Sequence, residues 1–213
     1  GTCPELLNTE NPEAVRAVHK MYVDAGADVI ETNSFGGNRV KLSSFDLHDR
    51  TEELNAAAAR NARSVAGDHV LVAGSIGPTG QFLTPVGNLD FDEAIDIFSQ
   101  QVLALTEAGV DLLVLETFSD IKEVRAALIA AKIQTTLPVV ALMTFEPSGQ
   151  TLLGSSPESA VVSLAAAGAD CVGANCGLGP DGILEVLRRM AAVTALPLAA
   201  LPRALPLPLA PSL

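Results

Sequence analysis

The chain has 213 residues, enough for one large domain with a sizeable core; 48% of them are apolar but only 4% aromatic, with no Trp, which suits close helix-on-sheet packing. A formal net charge of -12 argues against nucleic acid or an anionic membrane surface as a partner, since both call for clustered Lys and Arg. Apolar runs are broken well short of the ~20 residues of a membrane span and no leader opens the chain, so a soluble, cytoplasmic protein directed at a small molecule is expected.

Three cysteines, odd and few, do not make a disulfide framework and fit a reducing compartment. The opening, Gly1 to Asn8, reads as a loop with no strand before it. Asn11 and Pro12 start a helix, with Val15, Val18, Met21, Tyr22 and Ala25 at helical spacing until Gly26. Residues 28–35 read as a short strand running into Gly36-Gly37. Helices are expected over 48–66, 90–108, 120–133, 156–167 and 180–195, the second opened by a capping box of Asp90 and Glu93. Strands are expected over 69–75, 110–116, 139–145 and 169–176, and a sixth would fit at 196–200.

The junctions Ala25-Gly26-Ala27-Asp28, Ala108-Gly109-Val110-Asp111 and Ala167-Gly168-Ala169-Asp170 repeat one pattern: Gly closes a helix and Asp introduces the next strand. Successive right-handed β/α units follow, either as a doubly wound sheet or as a (β/α)8 barrel. Gly74-x-x-Gly77-x-x-Gly80 has the spacing of neither a dinucleotide fingerprint nor a P-loop, which favours the barrel. Such a barrel takes about 250 residues and eight strands, against six here.

On a barrel, active-site groups stand at the carboxyl ends of the strands. Here those positions carry Glu31, Asn33, Ser75, Glu116, Asp120, Thr144, Glu146, Asn175 and Cys176. Glu31-Thr32 and Glu116-Thr117 occupy the same place in two units, so their carboxylates would face one pocket from different sides; the alternative is that such residues merely solvate the rim. Cys176 closes the apolar stretch 169–176, although a lone Cys on an apolar strand is more often core. Cys171, five residues earlier, would face the other way, and Cys3 reads as an idle surface thiol. The four lysines, Lys20, Lys41, Lys122 and Lys132, fall on helices or their edges, which disfavours Schiff-base chemistry; His19 and His69 lie at the wrong end of a barrel for catalysis.

At Glu31-Thr32-Asn33-Ser34-Phe35-Gly36-Gly37-Asn38, Gly74-Ser75-Ile76-Gly77-Pro78, Glu116-Thr117-Phe118-Ser119-Asp120 and Gly173-Ala174-Asn175-Cys176-Gly177 the sequence resembles the homocysteine S-methyltransferase family, and within it the homocysteine-binding domain of cobalamin-dependent methionine synthases. The resemblance spans about residues 4–200. It implies a (β/α)8 TIM barrel whose mouth holds one zinc ion on three cysteines, Cys176 matching the first. Zinc would stabilise the thiolate of homocysteine, which takes a methyl group to become methionine. It further implies that Glu116 holds the substrate ammonium and that Ser75 lies near the amino-acid end. The expected substrate-binding set is Glu116, Ser75, Glu31 and Asn33, with Cys176 as metal ligand. The resemblance leaves the methyl donor open among methylcobalamin, S-methylmethionine and betaine, which all serve members of the family; methylcobalamin would be supplied by cobalamin- and folate-binding domains of a larger protein.

Departures from the family pattern shape the remaining expectations. Only Gly1-Thr2 could match the tail of the family's first strand, so the barrel is expected to lack its first and last strands, and its open edges predict marginal stability or self-association. The barrel domain is expected over residues 1–200, with 201–213 an aberrant Leu- and Pro-rich tail unable to form a helix or central strand. The second and third zinc cysteines have no counterpart, so the chain reads as a fragment, its frame shifted after about Ala200, that binds zinc poorly. The competing expectation is a remnant barrel that binds an amino acid without metal.

Overall fold

The computed structural model describes residues 3–202. Six strands form one parallel sheet in sequence order: β1 (Val29–Glu31), β2 (Leu71–Ile76), β3 (Leu112–Phe118), β4 (Val139–Met143), β5 (Cys171–Asn175) and β6 (Leu198–Leu201). Eight helices connect or precede them: α1 (Leu7–Glu10), α2 (Pro12–Asp24), α3 (Arg39–Ser43), α4 (Thr51–Ala66), α5 (Phe91–Glu107), α6 (Ile121–Gln134), α7 (Pro157–Ala166) and α8 (Pro180–Ala191). An unbroken parallel order with a helix in every crossover is the architecture of a (β/α)8 barrel, of which the described residues supply six strands. β1 and β6 are its two edges.

Two apolar layers result from the period of two along each strand. Val72, Leu113, Leu115, Ala141, Met143, Val172 and Ala174 pack outward in one continuous core with the helices. α5 shows why they stay there: Ala94, Ile97, Phe98, Val102 and Leu105 recur at helical spacing and are fully buried, and Phe98 meets Phe118 at a centroid distance of 5.9 Å. The alternate residues Ala73, Val114 and Leu142, with Leu112, Val140 and Ala199, form a separate cluster on the concave face.

The repeated helix-to-strand junctions serve as expected. Gly26, Gly109 and Gly168 have φ of 90°, 92° and 95°, a conformation that a side chain resists. Asp111 accepts from the Val72 amide and from Arg63, and Asp170 from the Val139 amide and from Lys132, so each Asp pins its strand to the start of the preceding one.

Several local expectations are corrected. The opening is not a loop: a helical turn at Pro4–Leu6 leads into α1, and Cys3 is buried rather than an idle surface thiol, its Sγ donating to Glu5 at 3.3 Å. Burial, with the Glu5 carboxylate beside it, pushes the Cys3 thiol up. The Asp90 side chain caps α5 through the Asp92 amide, not through a box with Glu93. α3 was not expected, because five residues hold too little periodicity to register. The sixth strand runs over Leu198–Leu201 rather than 196–200. The rest of the Leu- and Pro-rich tail, from residue 203, lies outside the described residues.

β5 and β6 pair so closely that a Cβ on Gly173 would run into the backbone carbonyl oxygen of Ala199. Gly173→Ala is therefore expected to force the two strands apart and cost about 1–3 kcal/mol. Urea denaturation of both proteins measures this; an unchanged midpoint would show that the close approach is not a packing constraint.

Candidate active site

The concave face carries the candidate site because parity leaves no alternative. Glu31 is two residues past Val29, Ser75 two past Ala73, Glu116 two past Val114 and Asn175 two past Gly173. All four therefore point to the inward face of the sheet. Glu31, Ser75 and Glu116 line a groove of about 800 Å³, whose floor is Val114, Val140 and Leu142.

Ser75 donates its hydroxyl to Glu116 Oε1 at 2.6 Å, and its own amide donates to Thr32 Oγ1 at 3.0 Å. Asn175 Nδ2 approaches the other carboxylate oxygen at 3.3 Å. Both oxygens of Glu116 thus face neutral donors, from β2 and from β5, and among the described residues no cation pairs with it. Burial raises the Glu116 carboxyl, and the Ser75 hydroxyl partly offsets this. Glu31 is pushed up to about 7, by burial first and then by the negative charge of Glu116.

The rim departs from regular strand geometry at two points. Leu115 pairs with Ala141 but Phe118 with Met143, so one extra residue bulges from β3 at Glu116-Thr117. Thr117 has φ of 64° and Cys176, just past β5, has φ of 55°. Both are non-glycine residues in the left-handed region, where strain is tolerated only if the surroundings hold it. Their side chains face each other, Thr117 Oγ1 standing 3.7 Å from Cys176 Sγ. Cys176 is exposed, whereas Cys171 is half-buried at the opposite end of β5, where burial raises its thiol.

Other expected rim residues are engaged elsewhere. Asn33 lines the groove, but its amide donates to the Pro4 carbonyl at 2.8 Å and to Asn8 Oδ1 at 3.2 Å, tying the β1 exit to the N-terminal segment. Asp120 caps α6 through the Lys122 amide, and Glu146 is exposed. His19 is buried against the same groove with Nε2 unpartnered, and burial lowers its pKa. Sequence reasoning gave no role to Glu5, whose Oε1 accepts from the Gly36 amide at 2.7 Å. A Cβ at Gly36 would fall 2.8 Å from that oxygen, and one at Gly37 2.5 Å from Asn55 Oδ1; this is the physical content of the Gly-Gly pair.

The residues present do not form the closed donor set that zinc requires. Cys176 stands on the rim with Asn175 and Thr117 as neighbours, and no group of three or more His, Cys, Asp or Glu side chains that could hold a metal occurs among the described residues. Nor does any helix among them have the length and apolarity to cross a membrane.

Barrel-type β/α units with a polar site at the carboxyl ends of the strands define an enzyme-like class of fold, which the comparisons make specific. The sequence model of the homocysteine S-methyltransferase family matches residues 2–210, and the chain belongs to that family. Methionine synthase of Mycobacterium tuberculosis is 32% identical over 213 aligned residues, covering 95% of this chain and 18% of the relative; that of Mycobacterium leprae gives the same figures. The chain thus spans less than a fifth of the length of these curated relatives. The metallated form of the homocysteine methyltransferase MmuM from Escherichia coli superposes with a TM-score of 0.81 at 24% identity, over 91% of this chain and 73% of that one, which shows the shared fold. Its apo form gives 0.75 at 25% identity.

The raised Glu31 carboxyl has a consequence for stability. The folded protein holds this proton more tightly than the unfolded chain, so the contribution is full below about pH 4.5 and is lost as the pH climbs through about 7. Wild-type protein is expected to lose about 1–3 kcal/mol from this group over that window. Glu31→Gln should remove that slope. Denaturant titrations at several pH values check this, and equal slopes in the two proteins would contradict it.

Proposed function

We propose that this chain is the homocysteine-binding part of a homocysteine S-methyltransferase. The substrate ammonium would sit between Glu116 and Glu31, with Ser75 orienting the Glu116 carboxylate, and the substrate sulfur would lie toward the rim at Cys176. The observation that carries the reading is the pair of inward-facing carboxylates without a cation partner among the described residues, set below an exposed thiol in a family of homocysteine methyltransferases. Two such carboxylates repel each other, and an ammonium placed between them relieves the repulsion. Asn33 supports the β1 exit beside them through its bonds to Pro4 and Asn8.

In the reaction, the substrate sulfur forms a bond to the methyl carbon while the bond from that carbon to its donor breaks; the thiol proton departs to solvent and the product is methionine. The donor we favour is methylcobalamin presented by cobalamin- and folate-binding parts of a longer protein, in line with relatives of which this chain matches 18%. Zinc is the family's expected thiol activator, but among the described residues one exposed cysteine is the sole thiol at this rim, and no step is routed through a metal. That same observation favours the second reading, in which the barrel binds the amino acid without metal or methyl transfer. Methyl transfer separates them: methionine should form from L-homocysteine and methylcobalamin only under the first.

An ammonium between the carboxylates lowers the pKa of Glu31, so binding below about pH 7 should release a proton. L-homocysteine affinity is then expected to rise by up to about tenfold per pH unit below 7 and to level off above it. Glu116→Gln should weaken binding by about tenfold or more. Calorimetry in buffers of different ionisation enthalpy measures affinity and proton release together. Binding that ignores pH and survives Glu116→Gln would place the ammonium elsewhere.

A further inference from the structure

Asn175 is 1% exposed, and its side chain is the hub of the rim. Its Oδ1 accepts from the Thr117 amide at 2.8 Å. Its Nδ2 donates to Thr117 Oγ1 at 2.8 Å and lies 3.3 Å from Glu116 Oε2 and 3.5 Å from Cys176 Sγ. The reverse orientation would aim an NH2 group at the Thr117 N–H, so the geometry admits one assignment. Two N–H bonds serve three acceptors: one is committed to the Thr117 hydroxyl, and the carboxylate and the sulfur share the other.

Three features converge on this amide that a buried Asn satisfying a turn would not need. Thr117 and Cys176, two non-glycine residues in left-handed backbone conformations, are both held by it from two different strand ends. The bulge that re-aims β3 lies at Glu116-Thr117, directly across from it. The carboxylate oxygen it approaches is the one that Ser75 leaves free.

We propose that Asn175 is a positioning residue that locks the Glu116 carboxylate and the Cys176 sulfur into one frame, so that the group for the substrate ammonium and the thiol end of the site cannot move independently. Its bearing on substrate rests on the homocysteine reading above; its hold on Glu116 does not. Ser75 fixes one carboxylate oxygen from β2 and Asn175 the other from β5, while β3 in between supplies the bulge that lets Glu116 face both.

The test is a double-mutant cycle on the 213-residue chain, using wild type, Asn175→Ala, Glu116→Gln and the double variant, with L-homocysteine as titrant. If Asn175 acts through Glu116, Asn175→Ala lowers affinity by about tenfold or more in the wild-type background and by less than about twofold in Glu116→Gln. A residue that merely holds the Thr117 turn would cost the same in both backgrounds, and additive losses overturn the proposal. Asn175→Leu, which fills the space without hydrogen bonds, replaces Asn175→Ala if the smaller side chain fails to fold. A second readout needs no ligand: the side-chain carboxyl carbon resonance of Glu116 should shift in Asn175→Ala while that of exposed Glu146 stays fixed. If the wild-type chain takes up no homocysteine, the substrate reading falls, and the Glu116 resonance alone decides the positioning: a shift supports it and an unmoved resonance overturns it.

Discussion

Two carboxylates on one concave face, partly removed from water, cannot both ionise freely at neutral pH without a cation between them. Glu31 and Glu116 meet that condition, with Glu31 pushed up to about 7 by burial and by its neighbour. Much of the surrounding structure serves to keep that pair in place. The strand period sends both side chains inward onto one groove, where the charge of Glu116 acts on Glu31, and Ser75 and Asn175 supply neutral donors to Glu116 rather than a neutralising Lys or Arg. A cationic ligand group would relieve this arrangement, and the amino acid we propose as ligand supplies one.

The same arrangement shows what could be read from the chain. The alternation of strand and helix, the three Gly-to-Asp junctions and the inward positions of Glu31, Ser75 and Glu116 all follow from local periodicity and turn chemistry, and all appear in the fold. The bulge at Glu116-Thr117 does not follow, because an extra residue in one strand is a matter of pairing with β4 and leaves no mark in the residues themselves. Burial of Cys3 and Glu5 was equally hidden. Their partners, the Gly36 loop and the Leu42 and Leu54 side chains, are distant in sequence, and an opening segment carries too little periodicity to reveal such docking. Asn33 illustrates the complementary case: its position at a strand exit was legible, while the commitment of its amide to Pro4 and Asn8 depends on how that opening segment folds back.

The rim also separates two questions that family membership tends to merge. Membership in the homocysteine S-methyltransferase family rests on a match over residues 2–210 and on a shared fold. Metal-assisted chemistry rests on a set of donors, and here one exposed thiol stands beside a hydroxyl and an amide. Substrate recognition can therefore be examined in this chain without presupposing how the sulfur is activated. The left-handed backbone at Thr117 and Cys176, held by one buried amide, suggests that precision at the thiol end is a property of the scaffold itself.

The most direct measurement is a crystal structure of this chain grown with L-homocysteine. The account predicts the ligand ammonium within hydrogen-bonding distance of Glu116 and Glu31 and its sulfur directed toward Cys176. Homocysteine bound with its ammonium away from both carboxylates, or outside the groove altogether, would contradict it.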